Sequence, residues 1–366
     1  MRKRHNWGVE TPITRLRQAL VEKDLPAILV SDPVNVGYLT GFTGSFGYAL
    51  ITPDGGRFLT DSRYTVQAAD EVNDLEVATF GTPKSGIDFI LDHIQALNLT
   101  RVGFEPSVTY GTWESWRDRL SPIELVPAGD LVGPLRLIKS PEEVTLIRAA
   151  CHLADACFAH ISRLIQPGAV EYDIGLEIEF YFRRHGASLA FDPIVVSGPN
   201  SAKPHGKPGE RKLAPGDFVT LDFGACLKGY NSDITRTLVV SPATDRHTEI
   251  YNRVLEAQVA SIEALRPGAN GRDIDVLARE ILDRDGANLS RYFGHSLGHG
   301  LGRSVHDTGR LSVSADQPIA AGQVWTIEPG VYIEGWGGVR IEDDVLVTEN
   351  GPEVLTHSPK ELLALA

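Results

Sequence analysis

Apolar and polar positions follow two textures along the chain. Over residues 11–133 short apolar runs alternate with helical spacing, which predicts an α/β domain. Thr11-Pro12 opens a helix with Thr as N-cap and Pro in its first turn, and Ile13, Leu16 and Leu20 give it one apolar side. Ala27-Ile-Leu-Val30 predicts a short buried strand. Residues 48–51 and 57–60 flank a Pro53-Asp-Gly-Gly56 turn and predict a hairpin. Helices are expected over 62–72 and 87–97, and a strand over 102–104. Asp61, Arg63 and Tyr64 read as structural pairs or a rim, and this stretch shows no catalytic constellation. The texture changes at Ser140-Pro-Glu-Glu143, where Ser caps, Pro takes the first turn and Glu143 completes a capping box. The helix that follows carries Ile147, Cys151, Ala154, Phe158, Ile161 and Ile165 on one face, a core stripe in which cysteine is filling rather than ligand. A boundary near residue 135 is expected, giving domains 1–134 and 135–366, with further helices over 172–185, 248–265 and 274–285 among strands and Gly-rich turns.

The second domain repeats itself. Residues 218–223 read as a buried strand, Lys228-Gly229 as a turn and 233–239 as the returning strand. Asp222 and Asp233 stand about equally far from that turn, so a hairpin would face them at a Cβ separation of ~4.5–5.5 Å, where two carboxylates repel. The pair is either a solvated acidic face or half of a cation site. Leu213-Ala-Pro-Gly-Asp-Phe-Val-Thr-Leu-Asp-Phe-Gly224 aligns without a gap on Ile319-Ala-Ala-Gly-Gln-Val-Trp-Thr-Ile-Glu-Pro-Gly330, setting Asp222 on Glu328. The turn Gly335-Trp-Gly-Gly338 then brings Glu342 opposite Glu328. Upstream, Gln166-Pro-Gly-Ala169 and its sequel to Ile174 match Arg266-Pro-Gly-Ala269 and its sequel to Ile274. Two matches in one order predict an internal duplication, each half reading helix, Pro-Gly turn, helix, acid-bearing hairpin. Two such halves face to face gather four carboxylates.

Composition narrows the function. Lys+Arg 35 against Asp+Glu 48 gives −13, an acidic balance that repels phosphate backbones and argues against nucleic acid as a partner. Cys151, Cys157 and Cys226 are an odd number in a chain long enough to need no staples, which fits the reducing cytoplasm. The start Met1-Arg-Lys-Arg-His-Asn-Trp7 is basic without an apolar run behind it, and no span of ~20 apolar residues follows, so neither a signal peptide nor a membrane anchor is expected. Among the histidines, His295 and His299 are four apart but lack the Glu of a helical zinc motif, and Gly298-His-Gly-Leu-Gly302 is too rich in glycine for a helix. With four acids gathered, His299 is the natural nitrogen donor beside them. His205 in Lys203-Pro-His-Gly and His306 in Ser304-Val-His-Asp interrupt loops, where either a structural role or proton transfer and oxyanion support would suit them.

The motifs Leu-Asp-Phe-Gly around Asp222, Ser-Asp-Ile-Thr-Arg-Thr around Asp233, Gly-His-Gly-Leu-Gly around His299, Ile-Glu-Pro-Gly around Glu328 and Val-Arg-Ile-Glu-Asp around Glu342 resemble, in order and context, those of the pita-bread metallopeptidases. This family holds the methionine aminopeptidases, Xaa-Pro aminopeptidases and prolidases. The resemblance covers residues 141–366, and the preceding domain resembles the N-terminal domain of Xaa-Pro aminopeptidases, prolidases and creatinases. It implies a creatinase-like α/β N-terminal domain and an α+β pita-bread domain with a pseudo-twofold duplication. It implies Asp222, Asp233, His299, Glu328 and Glu342 as metal ligands. Their charge of −4 would be cancelled by two divalent ions, Mn²⁺ favoured by the oxygen-rich set and Co²⁺ or Zn²⁺ the alternatives. Glu328 is the candidate for proton transfer, and His205 and His306 match active-site histidines that hold the substrate. His295 matches a wall of the substrate site. Arg340 resembles an arginine that orients the acids, or is an ordinary strand ion pair.

The substrate expected from this resemblance is a peptide with proline at its second position, and a homodimer is the expected assembly. Arg310, four residues after His306, resembles the arginine with which prolidases hold a dipeptide's carboxylate, though a loop arginine also has a solvated reading. Val305-His-Asp-Thr-Gly carries the His-Asp of many aminopeptidases instead. The expectation is therefore an Xaa-Pro aminopeptidase, with an Xaa-Pro dipeptidase as the alternative. A non-catalytic binding module on this fold is disfavoured, because all five ligand positions are kept.

Overall fold

The computed structural model describes residues 11–365, so the basic start at residues 1–7 lies outside it. The chain divides into two compact units between Arg136 and Leu137. The first unit is built on a six-stranded sheet in the order Glu76–Phe80, Gly55–Asp61, Tyr48–Thr52, Ile28–Val30, Arg101–Phe104, Glu124–Pro127. Tyr48–Thr52 is antiparallel to both its neighbours and the outer pairings are parallel. The helix Pro12–Glu22 starts as its sequence predicts: the Thr11 side chain accepts from the Thr14 amide, and Ile13, Leu16 and Leu20 are buried. The stretch 62–72 is one 3-10 turn followed by the helix Thr65–Glu71, with the Asp61 carboxylate capping the turn and pairing with Arg63 at 2.7 Å on the surface. Among the described residues three helices here are absent from the sequence reading: Pro33–Thr40, Tyr110–Arg119 and the short Gly133–Leu137 that runs across the boundary.

The second unit is two copies of one arrangement. Pro141–Ile161 and Glu171–Arg184 form the first helix pair, and Asp245–Ala264 and Gly271–Asp283 the second. Between the helices of each pair, Gly168 (φ 88°) and Gly268 (φ 86°) turn in the left-handed region that only glycine adopts cheaply. The Gly168 amide donates to Leu213 O at 2.8 Å and the Gly268 amide to Ile319 O at 2.9 Å, and the Leu213 and Ile319 amides donate back to Ala169 O and Ala269 O, both at 2.8 Å. Positions aligned by sequence thus make the same backbone bonds in the two halves. The first pair covers a sheet in the order Ala364–Leu365, Ile234–Val240, Phe218–Phe223, Ile194–Ser197; the second half carries Asp307–Leu311, Gly298–Gly300, Val324–Ile327, Asp343–Thr348, Gly351–Val354.

Each half has its own apolar core. Phe158, Ile161, Ile178 and Phe182 meet Val219, Leu221 and Phe223 in one; Tyr251, Val254, Ile274 and Ile281 meet Trp325, Ile327 and Val345 in the other. The capping box at Ser140 forms, with the Glu143 amide donating to Ser140 Oγ at 3.3 Å and the Ser140 amide to Glu143 Oε2 at 2.9 Å. Among the described residues the stretch Pro141–Leu164 has the length and apolar composition of a membrane span. Its residues Ile147, Cys151, Ala154, Phe158 and Ile161 are instead buried in the protein core. The three cysteines are unpaired, with Cys151 and Cys157 buried.

Candidate active site

The face shared by the two halves of the second unit holds one cavity of about 830 Å³, lined by Asp222, Asp233, His299, Glu328 and Glu342 together with His205, His295, His306, Arg310 and Arg340. Every candidate named from the sequence therefore opens onto the same space. Two backbones cross closely beneath it: a Cβ at Gly224 would stand 1.9 Å from Ser232 O, and one at Gly298 1.9 Å from Thr326 O. Glycine is required there for contact and not for turn geometry, and each sits within two residues of a cavity-lining donor.

One expected detail is corrected. Lys228 (φ 52°) and Gly229 (φ 79°) make a two-residue left-handed turn, and it fixes a register in which Leu227 pairs with Tyr230 and Asp222 with Thr235. Asp233 therefore lies diagonal to Asp222, not directly across from it, two residues along on the same face. The second hairpin is in the expected register, since the pairs Ile327–Asp343 and Gly330–Arg340 bracket Glu328 and Glu342 and set them opposite each other.

The donors converge. His299 Nε2 lies 3.5 Å from Glu328 Oε1 and 3.7 Å from Asp233 Oδ2. Donor atoms of Asp233, His299 and Glu342 fall within 4.8 Å of one another. Asp222 Oδ1 and Asp233 Oδ1 are buried with no hydrogen-bond partner. Burial, then repulsion from Glu342 and Asp222, pushes the Asp233 carboxyl well above the usual carboxylate range. Burial and Glu342 do the same to Glu328, and burial and Asp222 raise Glu342. Asp222 is raised by burial and opposed by Arg340. Burial lowers His299 to about 4, so its ring is neutral near pH 7. Nδ1 faces Gly300 O at 3.1 Å and must carry the proton, which leaves the Nε2 lone pair toward the acids. Unpartnered carboxylate oxygens and an aimed imidazole lone pair are what a divalent cation satisfies. The residues fit that group.

Around them stands a layer that the sequence reading mostly missed. Arg340, 3% exposed, donates to Asp222 Oδ2, to Thr235 Oγ1 at 3.0 Å and to Tyr332 OH at 2.7 Å. Its donors thus serve protein groups. Thr235 Oγ1 donates to Glu342 Oε2 at 2.5 Å. Tyr332 OH also meets His295 Nε2 at 2.8 Å. Asp344 Oδ2 accepts from the Asp233 amide at 2.9 Å and from Cys151 Sγ at 3.2 Å. Thr326 Oγ1 accepts from the His299 amide at 3.0 Å and lies 3.3 Å from Glu328 Oε1. Strand alternation from Asp233 points to Thr235 on the same face, a signal present in the sequence; Tyr332 has none. The remaining candidates are looser. His306 is exposed, with its ring 4.3 Å from that of His299, and His205 and Arg310 are exposed at the cavity wall.

Comparison with known proteins gives the chain a family. The model of metallopeptidase family M24 matches residues 145–349, and that of the creatinase/prolidase N-terminal domain residues 12–138. The chain belongs to metallopeptidase family M24. It is 42% identical to the solved Xaa-Pro dipeptidase from Bacillus anthracis, with a TM-score of 0.93 over 97% of this chain and 99% of that one. It is 36% identical to the Xaa-Pro dipeptidase of Pyrococcus furiosus over 96% of this chain and 99% of the relative. The solved X-Pro aminopeptidase from Thermotoga maritima is 34% identical, with a TM-score of 0.88 over 96% of this chain and 99% of that one. Membership brings with it the pita-bread fold behind a creatinase-type domain, and peptide hydrolysis dependent on divalent metal ions.

Proposed function

We propose that this M24 peptidase is an Xaa-Pro dipeptidase, in place of the aminopeptidase that the His306-Asp307 pair put first. Arg310 carries this reading. It pairs with His299 across the strands Gly298–Gly300 and Asp307–Leu311, and its side chain is exposed to the cavity that holds the acids. A guanidinium there can take a dipeptide's free carboxylate, a group that a longer peptide does not offer next to its proline. The two relatives of highest identity described above are both dipeptidases.

In this reading Asp222, Asp233, His299, Glu328 and Glu342 hold two divalent cations, which balance four carboxylates, with Mn²⁺ favoured and Co²⁺ or Zn²⁺ the alternatives. When bound, such a pair supplies an activated water and Lewis-acid polarisation of the scissile carbonyl. Glu328 takes a proton at its carboxylate and returns it to the proline nitrogen as the bond breaks. That return matters for proline, whose ring nitrogen has no hydrogen in the amide and leaves as a secondary amine. His205 and His306 hold the carbonyl oxygen as negative charge develops. Partial desolvation at the cavity wall, then the Arg310 charge, keeps His306 below its ordinary value although its outer edge is exposed, so it serves as a neutral donor. His295, fixed by Tyr332 through Nε2 and with Nδ1 3.9 Å from Glu328 Oε2, walls the site beside that acid. The resemblance also carries a homodimer, which light scattering of the purified protein tests.

The test compares Xaa-Pro, Xaa-Pro-amide and Xaa-Pro-Xaa as substrates of the Mn²⁺-loaded protein. The dipeptide is expected to be cleaved and the amide and tripeptide to be poor. Arg310→Met should cut kcat/KM for the dipeptide by about 10- to 100-fold, the value of a charged hydrogen bond of ~1.5–3 kcal/mol, and leave the amide unchanged. Cleavage of the tripeptide in preference to the dipeptide would restore the aminopeptidase reading.

A further inference from the structure

Behind the acids the residue after Glu342, Asp343, opens the strand Asp343–Thr348 and turns its side chain the opposite way, into the protein. Asp343 is fully buried and receives four donors from three segments. Arg236 Nη2 stands 2.7 Å and Thr356 Oγ1 2.8 Å from its Oδ1. Gln258 Nε2 stands 2.7 Å and Lys360 Nζ 2.5 Å from its Oδ2. Arg236, 1% exposed, is shared between this carboxylate and the backbone of Glu342, whose carbonyl it reaches through Nη1 at 2.5 Å. The Glu342 amide in turn donates to Thr235 O at 3.1 Å. Both backbone groups of Glu342 are thus held from one strand edge, and the orientation of Arg236 decides one of them.

Lys360 lies 17 residues further along the chain, in a closing segment that is tied to both halves. Ser358 donates to Asp155 through its amide and hydroxyl, at 2.8 and 2.6 Å; Tyr251 OH donates to Lys360 O at 2.7 Å; Ala364–Leu365 pairs in parallel with Val239–Val240. Arg236 also donates to Ser358 O at 2.8 Å and Pro359 O at 3.0 Å. One cation would suffice to balance Asp343, yet two are supplied. With Lys360 on Oδ2, Arg236 can stay turned toward Oδ1 and the Glu342 carbonyl. Without it, one buried carboxylate oxygen keeps only the Gln258 amide, and Arg236 is drawn across to it, away from Glu342.

We propose that Lys360 is a positioning residue for the metal centre: the C-terminal segment clamps Asp343 and, through Arg236, holds Glu342 in place to bind its cation. This rests on Glu342 being a ligand. The test titrates metal-free protein with Mn²⁺ itself, read by isothermal titration calorimetry and by the loss of free Mn²⁺ signal in electron paramagnetic resonance. Lys360→Met should fold, weaken Mn²⁺ affinity by about tenfold or more, and leave KM for Xaa-Pro at saturating Mn²⁺ within twofold. Lys360→Arg should recover most of the affinity. An Mn²⁺ affinity unchanged in Lys360→Met, with only a lower Tm, overturns the proposal and leaves Lys360 a structural group. Glu342→Gln is measured beside it: affinity kept there removes the ligand assignment and this inference with it, whereas affinity lost there but kept in Lys360→Met removes this inference alone. Should Lys360→Met not fold, Lys360→Gln takes the same measurement with the same two outcomes.

Discussion

Replacing Thr235 by Val removes one oxygen and keeps the β-branched shape that the strand wants. Thr235 is fully buried, so no water takes the place of the hydroxyl. That hydroxyl donates to Glu342 Oε2 at 2.5 Å and accepts from Arg340 Nε at 3.0 Å, while Arg340 also holds Asp222. It therefore links the acid of one hairpin to the acid of the other. A hydrogen bond to a charged group contributes ~1.5–3 kcal/mol. If that falls on the cation-binding form of Glu342, affinity drops by about 10- to 100-fold, at ~1.4 kcal/mol per decade. The bond also opposes the burial and repulsion that raise the Glu342 carboxyl. Without it the proton is held to still higher pH, and the curve of metal binding against pH moves to the alkaline side. The assay is Mn²⁺ titration of metal-free wild type, Thr235→Val and Thr235→Ser from pH 6.5 to 9, with Tm followed in parallel. Ser, which keeps the oxygen, should restore most of the affinity. An affinity within twofold of wild type, and a pH curve that does not move, would refute the reasoning even if Tm fell, because packing alone moves Tm.

Other outcomes follow from the same geometry. Asp233→Ala, which removes a donor facing both His299 and Glu342, should abolish binding of one Mn²⁺ and nearly all turnover; wild-type turnover would end its assignment as a ligand. In the metal-free protein, Glu342 is raised from 4.5 to about 8 by burial and Asp222, so its contribution to stability is present at low pH and is lost as pH rises between those values. His295 and His299, lowered from 6.5 to about 4 by burial, work the other way and stop changing above about 6.5. Between pH 6.5 and 8 only the carboxyl part remains. The metal-free Tm should fall across that window and the rise in Tm on adding Mn²⁺ should grow; a flat metal-free Tm with a constant rise would contradict both. Gly298→Ala drives a Cβ to within 1.9 Å of Thr326 O, backbone against backbone, and should cost about 3 kcal/mol or more, seen as a fall in the urea midpoint. A midpoint unchanged from wild type would mean that the two strands separate easily there.

What the sequence disclosed and what it hid divide along a physical line. The duplication was legible because backbone requirements recur: Pro167-Gly168 and Pro267-Gly268 serve the same turn, and Leu213 and Ile319 receive the same amide bonds. The acids were legible because carboxylates on facing strands cost too much to be set there without a cation. Register was less legible. Counting from the turn placed Asp233 across from Asp222, but the two-residue turn at Lys228-Gly229 pairs Asp222 with Thr235, and single residues in a β-ladder cannot be counted from apolar pattern when Ile234–Val240 is buried along its whole length. The same loss of contrast hid the helix Pro33–Thr40, where six of eight residues are buried and no polar face marks the period. Tyr110–Arg119 failed for the opposite reason, since Trp116 is its one buried residue. Thr235, Tyr332 and Lys360 act only through partners that lie 107, 8 and 17 residues away in sequence. A hydroxyl, a phenol and an amine carry no chemistry of their own into a local window. They become part of the site when folding sets each one against a charge, so the layer that tunes the acids has to be read from contacts while the acids themselves can be read from spacing.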